Sequence, residues 1–197
     1  MIVISNPVPI PKEIAIINEL FKQGMDIFHI RKPAYSTQQL QSFIAAINPD
    51  YHPKLVLHQY YDLAAIYNIR RIHSTYKNSQ AFKKYADNIQ KREEWVFSIA
   101  THSITEFNNL EDNFEYAFLS PIYESVSKPG YKPKGSMIES LTQRTNFNTD
   151  LIALGGISSS NYIETLDLDF DDIAVLGAIW NTDNPVNEFK HLLSKKR

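Results

Sequence analysis

Short apolar runs alternate with amphipathic segments from one end of this 197-residue chain to the other, and that alternation leaves few folds open. An apolar run without internal polar alternation reads as a strand buried on both faces. An amphipathic segment between two such runs reads as the crossover helix of a parallel βα unit. Ile2–Ser5 opens as a strand, and Pro11–Gln23 follows as a helix with Ile14, Ile17, Leu20 and Phe21 on one face and Gly24 at its stop. Asp26–Arg31 with Ser36–Asn48, Lys54–His58 with Tyr61–Tyr67, and Arg71–Ser74 with Ser79–Gln90 repeat the unit. Ser36 and either Asn78 or Ser79 suit N-caps. Trp95–Ala100 with Thr105–Glu111, Tyr116–Ile122 with Met137–Arg144, Leu151–Leu154 with Ser160–Leu166, and Ile173–Leu176 with Val186–Leu193 complete the series. Eight such units predict the α/β class, as a (β/α)8 TIM barrel in a single domain spanning residues 1–197. An open doubly wound sheet is the competing arrangement.

The chemistry open to the chain is narrowed by what it lacks. It has no cysteine, which excludes disulfides, thiolate catalysis and zinc–thiolate sites. A formal charge of −2 gives no global attraction to nucleic acid or to an anionic membrane, so any affinity for phosphate must come from local groups. No run approaches a membrane span, and the first residues do not read as a signal peptide. We therefore expect a soluble, cytoplasmic protein that binds neither nucleic acid nor membrane. Its oligomeric state is not legible.

In a barrel the strand C-termini form one rim, so residues distant in sequence converge there. Four of the six histidines, His29, His58, His73 and His102, fall at predicted strand ends. An imidazole exchanges protons near neutral pH, which makes His29, His58 and His102 the acid–base candidates. Neutral imidazole is also a common metal ligand, although we assign no metal site on this ground. Arg31 and Lys32 close the second strand and offer cations for phosphate. The carboxylates Asp167, Asp169, Asp171 and Asp172 precede the last strand, at the opposite end of the barrel, and are expected to face solvent.

Two apolar runs near the C-terminus, LIALGGI and DIAVLGAI, each end in glycine. Glycine at a strand exit lets backbone N–H groups approach an anion closely, and the last two βα loops of a barrel commonly hold phosphate. Gly155, Gly156, Leu176 and Gly177 are the candidates; tight turns alone would be the simpler reason for the glycines. The one long connection, residues 123–136, reads YESVSKPGYKPKGS, a polar segment of the kind that covers sites. Its Ser125, Ser127 and Lys128 could close over a phosphorylated ligand.

Taken in order, FHIRKP, LHQYYDLAAIYNIRRIHS, SIATHSITEF, FLSPIYESVSKPGYKPKG, LIALGGI and DIAVLGAIW resemble the thiamine-phosphate synthase and thiazole tautomerase superfamily over nearly the whole chain. The resemblance implies a (β/α)8 barrel in which Gly156, Leu176 and Gly177 hold a thiazole phosphate. Arg31 and Lys32 would meet a pyrimidine diphosphate, and Ser125, Ser127 and Lys128 would stand at the positions of the family's threonine-x-threonine-lysine loop. The synthase reaction it implies joins the two by loss of diphosphate, with Mg2+ neutralising the leaving group. At the magnesium positions this chain departs from the pattern: His58-Gln59 replaces an Asn-Asp pair, and Asn78 falls near the second acidic ligand. Ala100 replaces a serine before the fifth-strand histidine, and the lysine of Gln-x-Arg-Glu-Lys is displaced to Lys32. The tautomerase branch uses a histidine where this chain has Pro121. The alternatives are thus a tautomerase with a relocated base at His29 or His58, and a non-catalytic binder of thiazole or thiamine phosphate.

Overall fold

The computed structural model describes residues 1–111, 113–124 and 137–195. Eight parallel strands close into a barrel in sequence order. They are β1 (Ile2–Ile4), β2 (Ile27–Ile30), β3 (Leu55–Leu57), β4 (Arg71–Ser74), β5 (Val96–Thr101), β6 (Tyr116–Leu119), β7 (Asp150–Leu154) and β8 (Asp172–Val175). Every strand pairs with its successor, and β8 returns to β1 through Ile2↔Ala174 and Val3↔Val175. The closed TIM barrel, rather than the open sheet, is what the alternating pattern builds.

The helices α1 (Glu13–Lys22), α2 (Thr37–Ala45), α3 (Leu63–Ile66), α4 (Ser79–Ala86), α5 (Ile104–Asn108), α6 (Met137–Ser140) and α7 (Tyr162–Leu166) fill the crossovers, followed by α8 (Gly177–Trp180) and α9 (Pro185–Lys195). Ser36 caps α2 as expected: its hydroxyl accepts from the Gln39 amide, and the Gln39 side chain accepts from the Ser36 amide, a capping box. Asn78 makes no such cap. Its side chain donates instead to the His58 carbonyl at 2.7 Å, tying the β4 exit to the β3 exit. The single turn of α8 is not visible in the apolar periodicity, because four residues give no repeat to read.

Alternation along each strand divides the core in two. Phe28, Ile30, Leu55, Leu57 and Leu119 point outward and pack under the helices. Ile2, Ile4, Tyr116, Phe118, Ile152 and Ala174 fill the interior. At the N-terminal mouth of the barrel Asp167, Asp169 and Asp171 lie exposed as expected, with Asp171 also accepting from Arg144 Nη2 and the Leu151 amide at 2.7 Å. The expectation needs correction for Asp172 alone, which is half-buried and pairs with the chain's terminal amine. Among the described residues no helix is long and apolar enough to cross a membrane.

Candidate active site

The C-terminal ends of the strands open onto a cavity of about 760 Å³, a volume suited to a small organic ligand. Arg31, His58, Gln59, His73, Lys77, Asn78 and His102 line one side of it. Gly155, Gly156, Ser158, Leu176, Gly177 and Asn181 line the other. The rim is stitched together by side chains that bind backbone. Ser5 Oγ accepts from the Arg31 amide at 2.8 Å, Gln59 Nε2 donates to the Lys32 carbonyl at 2.8 Å, and the Tyr61 hydroxyl lies 3.1 and 2.9 Å from the carbonyls of His58 and His73. The Arg31 backbone is thereby fixed at the mouth, and the half-buried residue lines the cavity.

Beneath the mouth lies a buried imidazole cluster. His29 Nδ1 is 2.9 Å from His58 Nε2, and His29 Nε2 is 2.7 Å from the Tyr116 hydroxyl. His73 Nδ1 is 2.8 Å from Ser98 Oγ, and its ring lies 4.3 Å from that of His58. His58 Nδ1 is buried without a hydrogen-bond partner. Burial disfavours the imidazolium form throughout. It holds His29 and His58 well below the usual histidine range, with neighbouring imidazoles and Arg71 or Arg31 adding to the effect, and pushes His73 down to about 3, with Arg31 contributing. At neutral pH the three rings are uncharged.

Two sequence expectations change here. His29 does not line the cavity. It points into the barrel as Arg31 does, but two residues earlier on a strand is roughly 6.6 Å deeper, which puts the ring behind His58 rather than beside a ligand. Lys32 is also misplaced as a diphosphate contact. It follows Arg31 directly, so its side chain leaves the opposite face of the wall and is fully buried beneath α1 and α2. There Lys32 Nζ sits 2.6 Å from both carboxylate oxygens of Glu13 and 4.9 Å above the Phe43 ring. His102, by contrast, is exposed at the mouth. Its Nδ1 donates to the Ser120 carbonyl at 2.9 Å, which leaves Nε2 as the lone-pair nitrogen of the neutral ring.

The glycines have a packing reason as well as a position. Gly155 and Gly156 have φ of +108° and +69°. The segment leaving β6 crosses directly over them: a Cβ on Gly155 would meet Pro121 Cα at 2.9 Å, and one on Gly156 would meet the Glu124 carbonyl oxygen at 2.6 Å. Gly177 has no such constraint, since a Cβ there would meet only the Asn181 amide at 3.3 Å. Ser125, Ser127 and Lys128 lie outside the described residues.

Sequence reasoning passed over Lys77, Ser158 and Asn181 on the rim, and Tyr116 and Ser98 behind the histidines. Strand parity could have found Ser98, which pairs in register with His73, and Tyr116, which pairs in register with Ser98. The loop residues carry no periodic signal.

Fold and site together define a (β/α)8 barrel with a small-molecule cavity at its C-terminal rim. Residues 1–179 match the thiamine monophosphate synthase family, and the chain belongs to that family. It is 27% identical over 97 residues to the thiamine-phosphate synthase of Listeria monocytogenes serotype 4b (strain CLIP80459), a match covering 48% of this chain and 45% of that protein. The fold is similar to that of a thiamine phosphate pyrophosphorylase from Bacteroides thetaiotaomicron, with a TM-score of 0.78 and 27% identity over 98% of this chain and 95% of the other. The thiamine phosphate pyrophosphorylase from Pyrococcus furiosus, at 16% identity and a TM-score of 0.77 over 98% and 93% of the two chains, shares the fold.

The family uses Mg2+, a hard cation that favours carboxylate oxygen. The described residues do not fit it. Among the described residues lining the cavity the one carboxylate is Glu188, on α9, away from the β3 and β4 exits. At those exits stand the imidazoles of His58 and His73, and the Gln59 and Asn78 amides are donating to backbone carbonyls.

Proposed function

We propose that this chain binds a phosphorylated thiazole at the Gly155, Gly156 and Gly177 side of the cavity and a pyrimidine diphosphate at the Arg31 side, and couples them as a thiamine-phosphate synthase. The observation that carries this reading is the cavity itself. A cation, Arg31, and the glycine-ended strand exits line one small-molecule volume, in a chain of the matching family. In the reaction the bond between the pyrimidine methylene carbon and the diphosphate oxygen breaks. The thiazole nitrogen donates its electron pair to that carbon, and diphosphate departs. Arg31 and Lys77 are the described side chains able to meet the charge that grows on the leaving oxygens. Resemblance adds Ser125, Ser127 and Lys128 to the same task. No step is routed through magnesium.

That no carboxylate at the described β3 and β4 exits lines the cavity favours a second reading, in which the thiazole half binds and no coupling follows. The relocated-base tautomerase loses His29, which stands behind His58, and rests on His58 and His102. Incubating the protein with both substrates, with and without Mg2+, and measuring thiamine phosphate tests the first reading. Product that survives chelation supports charge stabilisation by protein cations. Thiazole phosphate binding by calorimetry with no product, in either condition, overturns coupling in favour of the binder.

A further inference from the structure

We infer that His29, His58 and His73 form a binding site for one divalent transition cation of the zinc, cobalt or nickel class, on the floor of the cavity. The three rings come from β2, the β3 exit and β4, and each offers a nitrogen within 4.8 Å of the others. A tetrahedral zinc–nitrogen distance of about 2.0–2.1 Å separates ligand nitrogens by roughly 3.3 Å. The 2.9 Å pair between His29 and His58 opens slightly to admit an ion, and His73 closes on it. Imidazole nitrogen selects such borderline cations over magnesium, which accords with the loss of hard oxygen ligands nearby.

The surroundings support a site rather than a chance cluster. Metal-bound imidazoles are oriented by a hydrogen bond at the nitrogen that does not face the ion. Tyr116 Oη holds His29 at Nε2, and Ser98 Oγ holds His73 at Nδ1, leaving the opposite nitrogens to converge. At His58 the converging nitrogen is Nε2, which faces His29 Nδ1, and the buried Nδ1 behind it has no partner. His58 and His73 also line the cavity, so a fourth coordination position opens where a ligand enters. The site stands independently of whether coupling occurs.

The test is a titration of the full chain, freed of metal by chelation, with Co2+, read by the visible ligand-field bands of low-coordinate cobalt. One equivalent should bind with those bands, be displaced by Zn2+ and be unaffected by excess Mg2+. His58→Gln and His73→Gln should abolish the bands with circular dichroism unchanged, while His191→Ala, on the exposed face of α9, should leave them intact. Where a glutamine variant fails to fold, Tyr116→Phe decides, with an expected loss of about 10- to 100-fold in affinity. Full affinity in Tyr116→Phe, bands that survive both glutamine variants, bands lost in His191→Ala, or no stoichiometric binding would overturn the site. All of these are read without substrate, so none bears on the coupling reaction.

Discussion

The ammonium of Lys32 lies 2.6 Å from both carboxylate oxygens of Glu13, in the layer between barrel wall and helices, while Arg31, its neighbour in sequence, turns into the cavity. Burial pushes the Lys32 pKa down and the Glu13 pKa up, each opposed by the other's charge. Removing one partner strands the other charge in an apolar layer, a loss of about 3–5 kcal/mol. Lys32→Met should therefore lower the urea midpoint sharply without changing calorimetric affinity for a pyrimidine diphosphate. The double variant Lys32→Met with Glu13→Leu should recover most of the stability. A selective loss of diphosphate affinity in a stable Lys32→Met protein would contradict the assignment.

Arg31 carries the opposite expectation. Its backbone amide is held by Ser5 and its side chain borders the cavity. A charge-assisted hydrogen bond contributes about 1.5–3 kcal/mol, so Arg31→Ala should weaken diphosphate binding by about tenfold or more. The urea midpoint should barely move.

The buried imidazoles make stability depend on pH in a defined direction. In the unfolded chain a histidine takes up a proton near pH 6.5, whereas the folded protein holds His73 neutral down to about 3, and His29 and His58 well below their ordinary value. A depressed folded pKa means the stabilisation is complete above the unfolded value and is lost as pH falls from there. Each ring contributes up to about 1.4 kcal/mol per pH unit to that slope. Urea midpoints measured from pH 7.5 down to pH 5 should fall, and His73→Gln should flatten the slope. An unchanged slope would rule out proton uptake by His73 as its source.

The three glycines separate packing from ligand approach. Gly155→Ala and Gly156→Ala force a Cβ onto the segment leaving β6 at positive φ, and left-handed strain alone costs roughly 1–2 kcal/mol. Both should lower the thermal midpoint. Gly177→Ala meets only a movable Asn181 side chain and should fold normally. Reduced thiazole phosphate affinity in Gly177→Ala, measured by calorimetry, would mark that backbone as a phosphate contact; undiminished affinity would remove it from the site.

How much could be read in advance differs residue by residue. The β4 limits, Arg71–Ser74, agree with the structure, because an apolar run between turn residues is a local signal. Ser36 was legible as a cap for the same reason. Lys32 and His29 were not placed correctly, although alternation along β2 carries the information: once Arg31 faces inward, Lys32 faces outward and His29 lies a layer deeper. The partners of Asn78 and Gln59 were beyond reach, since their amides bind carbonyls on neighbouring βα loops.

Sequence by itself determined the eight βα units and the family, because periodicity and short motifs are properties of contiguous residues, while closure in sequence order came from the tertiary structure. Only the tertiary structure decided which nitrogen of His29 meets His58, that Tyr116 and Ser98 stand behind the cluster, and that Glu13 rather than a phosphate takes Lys32. Barrel closure sets those contacts. It brings side chains 87 positions apart, His29 Nε2 and the Tyr116 hydroxyl, to within 2.7 Å of each other, through a register that no local pattern encodes.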